Sequence, residues 1–366
     1  MKLTRKRRKK VTVKTKPIII SVAILVLITT FGYMFFSEDE PVDPSRDDET
    51  ISQEKEEQDE KEVVEEISRC SYCGSPIDEK DENLDRPITV TLGNSSNERP
   101  QSGINAACVV YEAPAEGGLS RLFGVFNKDY EGNIGPVRSA RFYFITLGLE
   151  HDSIYAHVGG YQPVINKINE HRMANIDEFG AGGAFWRSDE RSAPHNTYTT
   201  LENIQKAAND RGYRSVGERS EFVDYQEEDI FDKLEGVGST ENVTVIYNSN
   251  YNRVEYKYKE DGYYRYVNGE KHIDKHDQKQ VVADNLIFQF VTSEVIDDVG
   301  RLRLGLIGKG EGVYLSEGKK IPITWEKDSH RSETEFYNAN TEEPLNIKPG
   351  QTWVNLIPHG TQVQYE

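Results

Sequence analysis

The stretch RPITVTLGNSSNERPQSGINAACVVYEAPAEGGLSRLFGVF (86–126) decides the reading of this chain. Three short apolar runs alternate with polar turns: ITVTL (88–92), ACVVYE (107–112) and LFGVF (122–126). Runs of this length, rich in β-branched and aromatic residues and bounded by Gly, Pro, Asn and Ser, read as strands. SIYAHV (153–158) adds a fourth. Helical patterns lie between and after them. Arg138–Leu149 carries Phe142, Phe144, Ile145, Leu147 and Leu149, dense enough for a largely buried helix. Thr199 followed by Glu202 has the spacing of a capping box and opens a helix with Leu201, Ile204, Ala207 and Ala208 on one face. The segment 86–225 therefore reads as mixed α and β.

Further along the pattern becomes nearly all strand. VTVIY (243–247), VEYKYK (254–259), YYRYV (263–267), LIFQFV (286–291), LRLGL (302–306), VYLS (313–316), IPITWEK (321–327), TEFYN (334–338) and TWVNLI (352–357) are separated by turn residues. Asp261-Gly262 and Asn268-Gly269 mark tight hairpins. Regular short strands predict a β-rich part over 242–366, with 226–241 as connector. The fold class is α+β: layered mixed sheets with a helical face in the N-terminal part, followed by the β-rich part.

Outward from the folded region, the chain changes character. A length of 366 residues suits about two domains. The net charge of −18 is segregated: residues 1–16 carry +9 and residues 37–69 carry −11. PIIISVAILVLITTFGYMFF (17–36) is uncharged and long enough to cross a hydrocarbon core of about 30 Å as a helix. The basic flank predicts a cytoplasmic tail (1–16) and a bulk outside, in the cell envelope. Residues 37–85 read as an acidic, disordered spacer. The acidic body repels polyphosphate, which argues against nucleic-acid partners.

Candidate chemistry concentrates in the first part. Arg99, Arg121, Arg138, Arg141 and Arg187 lie at strand ends and turns of an acidic domain. An arginine fork fits a carboxylate or phosphate in two contacts. With Glu112, Glu116, Ser139, His157, His195 and Asn196 they compose a candidate pocket for an anionic ligand, or a structural network in which Glu112 and Glu116 neutralise the arginines. Ser139 reads as an anion contact at a helix start or as an N-cap, and it lies in no nucleophile elbow. Glu112 and Glu116 with His195 would be the acid/base set of a wall-glycan hydrolase or modifying enzyme. A non-catalytic interaction scaffold is the third class. No motif calls for a cofactor, and no metal-ligand spacing is complete, because Cys70-Ser71-Tyr72-Cys73 has no second CxxC. Cys70 and Cys73 could close a local disulfide, and Cys108 reads as a buried strand thiol.

The run 86–126, followed by GPVRSAR, HVGG and APHNTYT, resembles the YerB-like family of bacterial extracytoplasmic proteins. YYRYVNGEKHID, ADNLIFQFV, GEGVYLSEGKKIPITWEK and PGQTWVNLIP extend the resemblance to the C-terminal part. It covers about 86–357. The resemblance implies a two-part α+β fold on the outer face of the membrane and no established reaction. Where family members often carry a lipidated cysteine, this chain has the apolar run 17–36. The expected partners are the membrane, through 17–36, and peptidoglycan or another anionic wall polymer, or else a membrane protein.

Overall fold

The three apolar runs of 86–126 become neighbouring strands: β1 (Asn83–Gly93), β2 (Val109–Pro114) and β3 (Ser120–Lys128), in the spatial order β2-β3-β1. Gly93 faces Arg121, and Arg121 faces Ala113. This computed structural model describes residues 69–77, 83–219, 222–226, 231, 236–248 and 250–366. The basic tail, the apolar run 17–36 and the part of the expected spacer up to residue 68 lie outside the described residues. The expectation of disorder as far as residue 85 does not hold at its end: Cys70, Tyr72 and Cys73 are buried in the core, and β1 begins at Asn83. Among those described, no helix is long and apolar enough to cross a membrane.

After β3 come α1 (Phe142–Glu150), β4 (Ile154–His157), α2 (Gln162–Glu170) and β5 (Asn175–Asp177). Strand β4 runs parallel to β1, and β5 parallel to β4. A small ribbon, β6 (Trp186–Arg187) with β7 (Thr197–Tyr198), precedes α3 (Leu201–Asp210). Two helix starts differ from expectation. Helix α1 begins at Phe142 rather than near Arg138, because residues 134–140 are held extended by bridges to Leu92, Ser102, Thr199 and Gly160. Ser139 therefore lies outside the helix, and Arg141 is the N-cap residue. Helix α3 is capped by Thr200, whose hydroxyl accepts from Asn203 N, whereas the Thr199 hydroxyl donates to the Ala184 carbonyl at 2.8 Å.

The second half supplies β8 (Gly238–Ser239), β9 (Asn242–Asn248), β10 (Asn252–Lys259), β11 (Gly262–Val267), β12 (Glu270–Lys271) and β13 (Val282–Ala283). It continues with β14 (Asn285–Val295), β15 (Leu302–Gly305), β16 (Gly308–Ser316), β17 (Lys319–Lys327), β18 (Glu335–Asn338), β19 (Thr352–Pro358) and β20 (Gln362–Tyr365). The β11–β12 hairpin turns at Asn268-Gly269, both with positive φ, the geometry that favours this dipeptide.

Strands of both halves share one sheet, ordered β18-β17-β16-β14-β19-β2-β3-β1-β4-β5. The join is β19 on β2, parallel, with Thr352 opposite Val109 and Asn355 opposite Glu112. Strands β9–β13 and β20 make a second sheet. Side-chain alternation divides the core. Ile88, Val90, Leu92, Val110, Trp353 and Ile357 pack with α3 and the second sheet. Val109, Tyr111, Phe123, Val125, Val354 and Leu356 pack with α1 and α2. Phe123 stacks on Phe144 of α1 at 4.8 Å between centroids. The sheet thus lies between a helical layer and a layer of sheet plus α3.

Candidate functional site

Glu98 lies in the loop after β1 and is fully buried. Its carboxylate accepts from Ser95 N at 2.8 Å and contacts Arg121 at 3.3 Å, Arg138 at 2.8 Å and His195 Nδ1 at 3.0 Å. Gly93 leaves room for this carboxylate: a Cβ there would stand 2.2 Å from the Glu98 carboxyl carbon and displace it. Burial alone would raise the Glu98 pKa, but Arg121, the Ser95 N–H and Arg138 outweigh it and hold it at about 2. Among the sequence candidates, Arg121, Arg138 and His195 meet on this one residue. Glu98 stands beside Arg99 in the ERPQSG run, but nothing in the local pattern marks it as the hub.

Arg141 forms a two-contact ion pair with Glu116, one contact being Nε to Oε2 at 3.1 Å. Burial opposes ionisation of Glu116, yet Arg141 keeps its pKa below the usual carboxylate value. In this cluster three guanidinium groups, Arg121, Arg138 and Arg141, face two carboxylates, Glu98 and Glu116. The Nε of Arg121 is buried without a hydrogen-bond partner.

The cluster sits at the carboxyl ends of the parallel strands β1 and β4, the end where open α/β sheets present ligand sites. Val158 N donates to Arg138 O at 3.0 Å, and Ala140 N donates to Gly159 O at 3.0 Å. That pairing sets the starts of α1 and α2 side by side, and neither N-terminus has a side-chain cap. Their first N–H groups and dipoles favour negative charge. Gly159 has φ +53°, and a Cβ there would meet the Phe179 ring at 2.6 Å.

The remaining candidates hold the surrounding loops. Burial pushes the His157 imidazole below its usual pKa despite Asp177 nearby, and its Nδ1 bonds the Gly159 carbonyl at 3.0 Å. Arg187 reaches Glu178 at 2.8 Å and Asn196 Oδ1 at 3.1 Å, while Asn196 Nδ2 donates to Ser188 O. These contacts brace the β6–β7 ribbon. The Ser139 carbonyl accepts from Arg141.

Glu112 and Arg99 lie apart from the arginine cluster. Glu112 is 0% exposed and pairs at 2.7 Å with Arg265, also 0% exposed. Ser120 Oγ donates to it at 2.6 Å and Asn94 Nδ2 at 3.1 Å. Arg265 in turn contacts His272, lies 4.7 Å over the Trp353 ring, and His272 Nε2 bonds Gln101 Oε1 at 2.6 Å. This network joins the two sheets. Each carboxylate of the expected acid/base pair is thus held by its own arginine, Glu112 out of reach of solvent, and neither Glu98 nor Glu116 is kept protonated as a general acid requires. Arg99 donates to Asn94 O and lines a separate cavity of about 370 Å³ with Ser96, Glu270 and Lys271. Cys70, Cys73 and Cys108 are buried free thiols at the amino end of β2.

Known proteins match along most of this architecture. Residues 72–214 match the N-terminal domain, and residues 243–354 the C-terminal domain, of a family described as "Protein of unknown function (DUF3048)". The chain belongs to the DUF3048 family. It is 34% identical over 280 residues to "Putative lipoprotein YerB" of Bacillus subtilis (strain 168), covering 75% of this chain and 81% of that protein. The crystal structure of YerB protein from Bacillus subtilis superposes with a TM-score of 0.70 at 29% identity, covering 81% of this chain and 99% of that one. The two DUF3048 segments correspond to the two halves that share the main sheet. All the residues of the arginine cluster fall inside the N-terminal DUF3048 match.

Proposed function

We propose that this chain is a membrane-associated extracytoplasmic protein that binds an anionic ligand, a wall polymer such as peptidoglycan or an anionic glycan attached to it. Arg138 holds the anion, with Arg121 and Arg141 supplying positive charge beneath it and His195 at the edge. The observation that carries the reading is the surplus of guanidinium over carboxylate beside two uncapped helix starts. The body is otherwise acidic, so a local positive surplus focuses anions there. The placement rests on the sequence, which expects an N-terminal anchor, and on the lipoprotein name of the Bacillus subtilis relative.

The test is co-sedimentation of the full chain, purified in detergent, with sacculi that retain or lack their attached anionic polymers. Wild type is expected to pellet, and to pellet less as salt rises. Arg138→Ala is expected to bind about tenfold more weakly, the loss of one charge-assisted contact, and to melt cooperatively but at a lower temperature, because the buried Glu98 loses one of its ion partners. Wild type that stays in the supernatant, or an Arg138→Ala chain that pellets as well as wild type, overturns the proposal.

A further inference from the structure

The chain has three cysteines, and all three thiols converge. Cys70 and Cys73 stand on a tight turn in which Cys70 N donates to Ser75 O at 2.9 Å and Gly74 N to Cys70 O at 2.7 Å. Gly74 takes φ +63°, and a Cβ there would meet the Tyr225 ring at 2.8 Å. The turn is tied down on three sides. Asn127 donates to Ser71 Oγ at 3.0 Å, Gly350 N donates to Cys73 O at 2.7 Å, and the Tyr225 hydroxyl donates to the Tyr72 carbonyl. Cys108 is fixed just before β2: its N donates to Val125 O and its carbonyl accepts from Thr352 N.

The sulfur atoms all lie within 4.8 Å of one another, with Cys70 to Cys108 at 3.5 Å. Each cysteine is at most 2% exposed. Sulfurs bound to one ion at a metal–sulfur distance of about 2.3 Å stand about 3.8–4.0 Å apart. The fold therefore holds three soft ligands near chelating separation before any ion arrives. Among the described residues, no histidine or carboxylate joins the group. A pure thiolate set selects thiophilic ions over calcium, magnesium or manganese.

We propose that Cys70, Cys73 and Cys108 bind one thiophilic d¹⁰ cation, zinc(II) or copper(I), as a structural centre fastening the turn 69–77 to the amino end of β2. Binding releases the thiol protons to solvent and involves no change of oxidation state. The ion offsets the charge of thiolates that would otherwise repel in a dry interior. It also shelters them from pairing where disulfides form readily.

The experiment uses the full chain, purified in detergent, reduced and stripped of metal. It is titrated with cobalt(II) as a spectroscopic substitute for zinc, with zinc(II) against a chromophoric chelator, and with copper(I) against a copper(I) chelator. One ion per chain is expected, with thiolate-to-cobalt charge-transfer absorption if the site takes zinc; stoichiometric uptake of copper(I) alone would also support the centre and name its ion. Cys108→Ser is expected to weaken binding about a hundredfold or more, since even supporting residues around metal ligands matter tenfold to a hundredfold. Because that variant can disturb packing, the wild-type titration stands as an independent test. Failure of wild type to bind any of the three ions overturns the proposal. So does a Cys70–Cys73 disulfide in peptide maps of protein isolated from membranes without reductant, or undiminished affinity in Cys108→Ser.

Discussion

Glu98 concentrates the electrostatics of the N-terminal half in one carboxylate. Its pKa of about 2 lies below the ordinary value of 4.5. Its stabilising contribution is therefore complete above pH 4.5 and is lost as pH falls through 2. Glu150 behaves alike: burial opposes its charge, but Lys327 and Arg219 overcome this and hold it at about 2. His151 is held neutral by burial, aided by Arg219, with a pKa of about 3 against 6.5. The unfolded chain takes up that proton first, so stability already declines below pH 6.5. Denaturant titrations at pH 7, 5 and 3.5 are expected to show progressively lower unfolding free energies. Glu98→Gln is expected to cost about 3 kcal/mol at pH 7, because it leaves buried guanidinium groups uncompensated. It is also expected to flatten the decline between pH 4.5 and 2. An unchanged pH slope in this variant would show that Glu98 does not carry the effect.

Among the elements, the start of α3 offers a local test. The Thr200 hydroxyl satisfies Asn203 N at 3.1 Å. Thr200→Ala is expected to lose about 1 kcal/mol, read as faster amide exchange in the first turn of α3. The sequence pattern points to Thr199 because Glu202 completes a box from there, yet the Thr199 side chain is engaged by Ala184. That error of one residue is typical of what spacing resolves. Strands β1, β10, β11 and β17 are long enough to show their alternation, and β3, buried on both faces, is legible as a continuous apolar run. Strands β5, β6 and β7 have two or three residues, too few to carry a period. Helix α2 buries only Val164 and Ile168 and leaves little apolar stripe to read. The site was partly legible for a different reason. Arginines at strand ends stand out in an acidic domain, so Arg121, Arg138 and Arg141 could be found. Their counter-charge could not: Glu98 meets Arg138 through the folding of 134–140 against the β1 loop, and Glu112 meets Arg265 across 153 positions of chain.

At the scale of the whole molecule, the two halves interlock. The described residues fall in one compact unit, 64–366, and the Glu112–Arg265 pair is buried where the sheets meet. Arg265→Ala is expected to cost about 3–5 kcal/mol, because it strands a carboxylate in a dry interior. Amide exchange is expected to accelerate together in β1 and β10, and melting to stay a single transition. Two separated transitions would show that the halves unfold independently. The arginine cluster and the thiol trio occupy opposite ends of β2, from Cys108 to Ala113, about 16 Å apart along the strand. Metal removal is therefore not expected to alter the anion site directly.

The parallel pairing of β2 with β19 also sets a timetable for biogenesis. Val110 must wait for Trp353, about 240 positions later, before its second edge is covered. At a synthesis rate of about 5–20 residues per second, that edge stays bare for roughly 12–50 s. The nascent N-terminal half thus emerges with an apolar strand open to wrong partners.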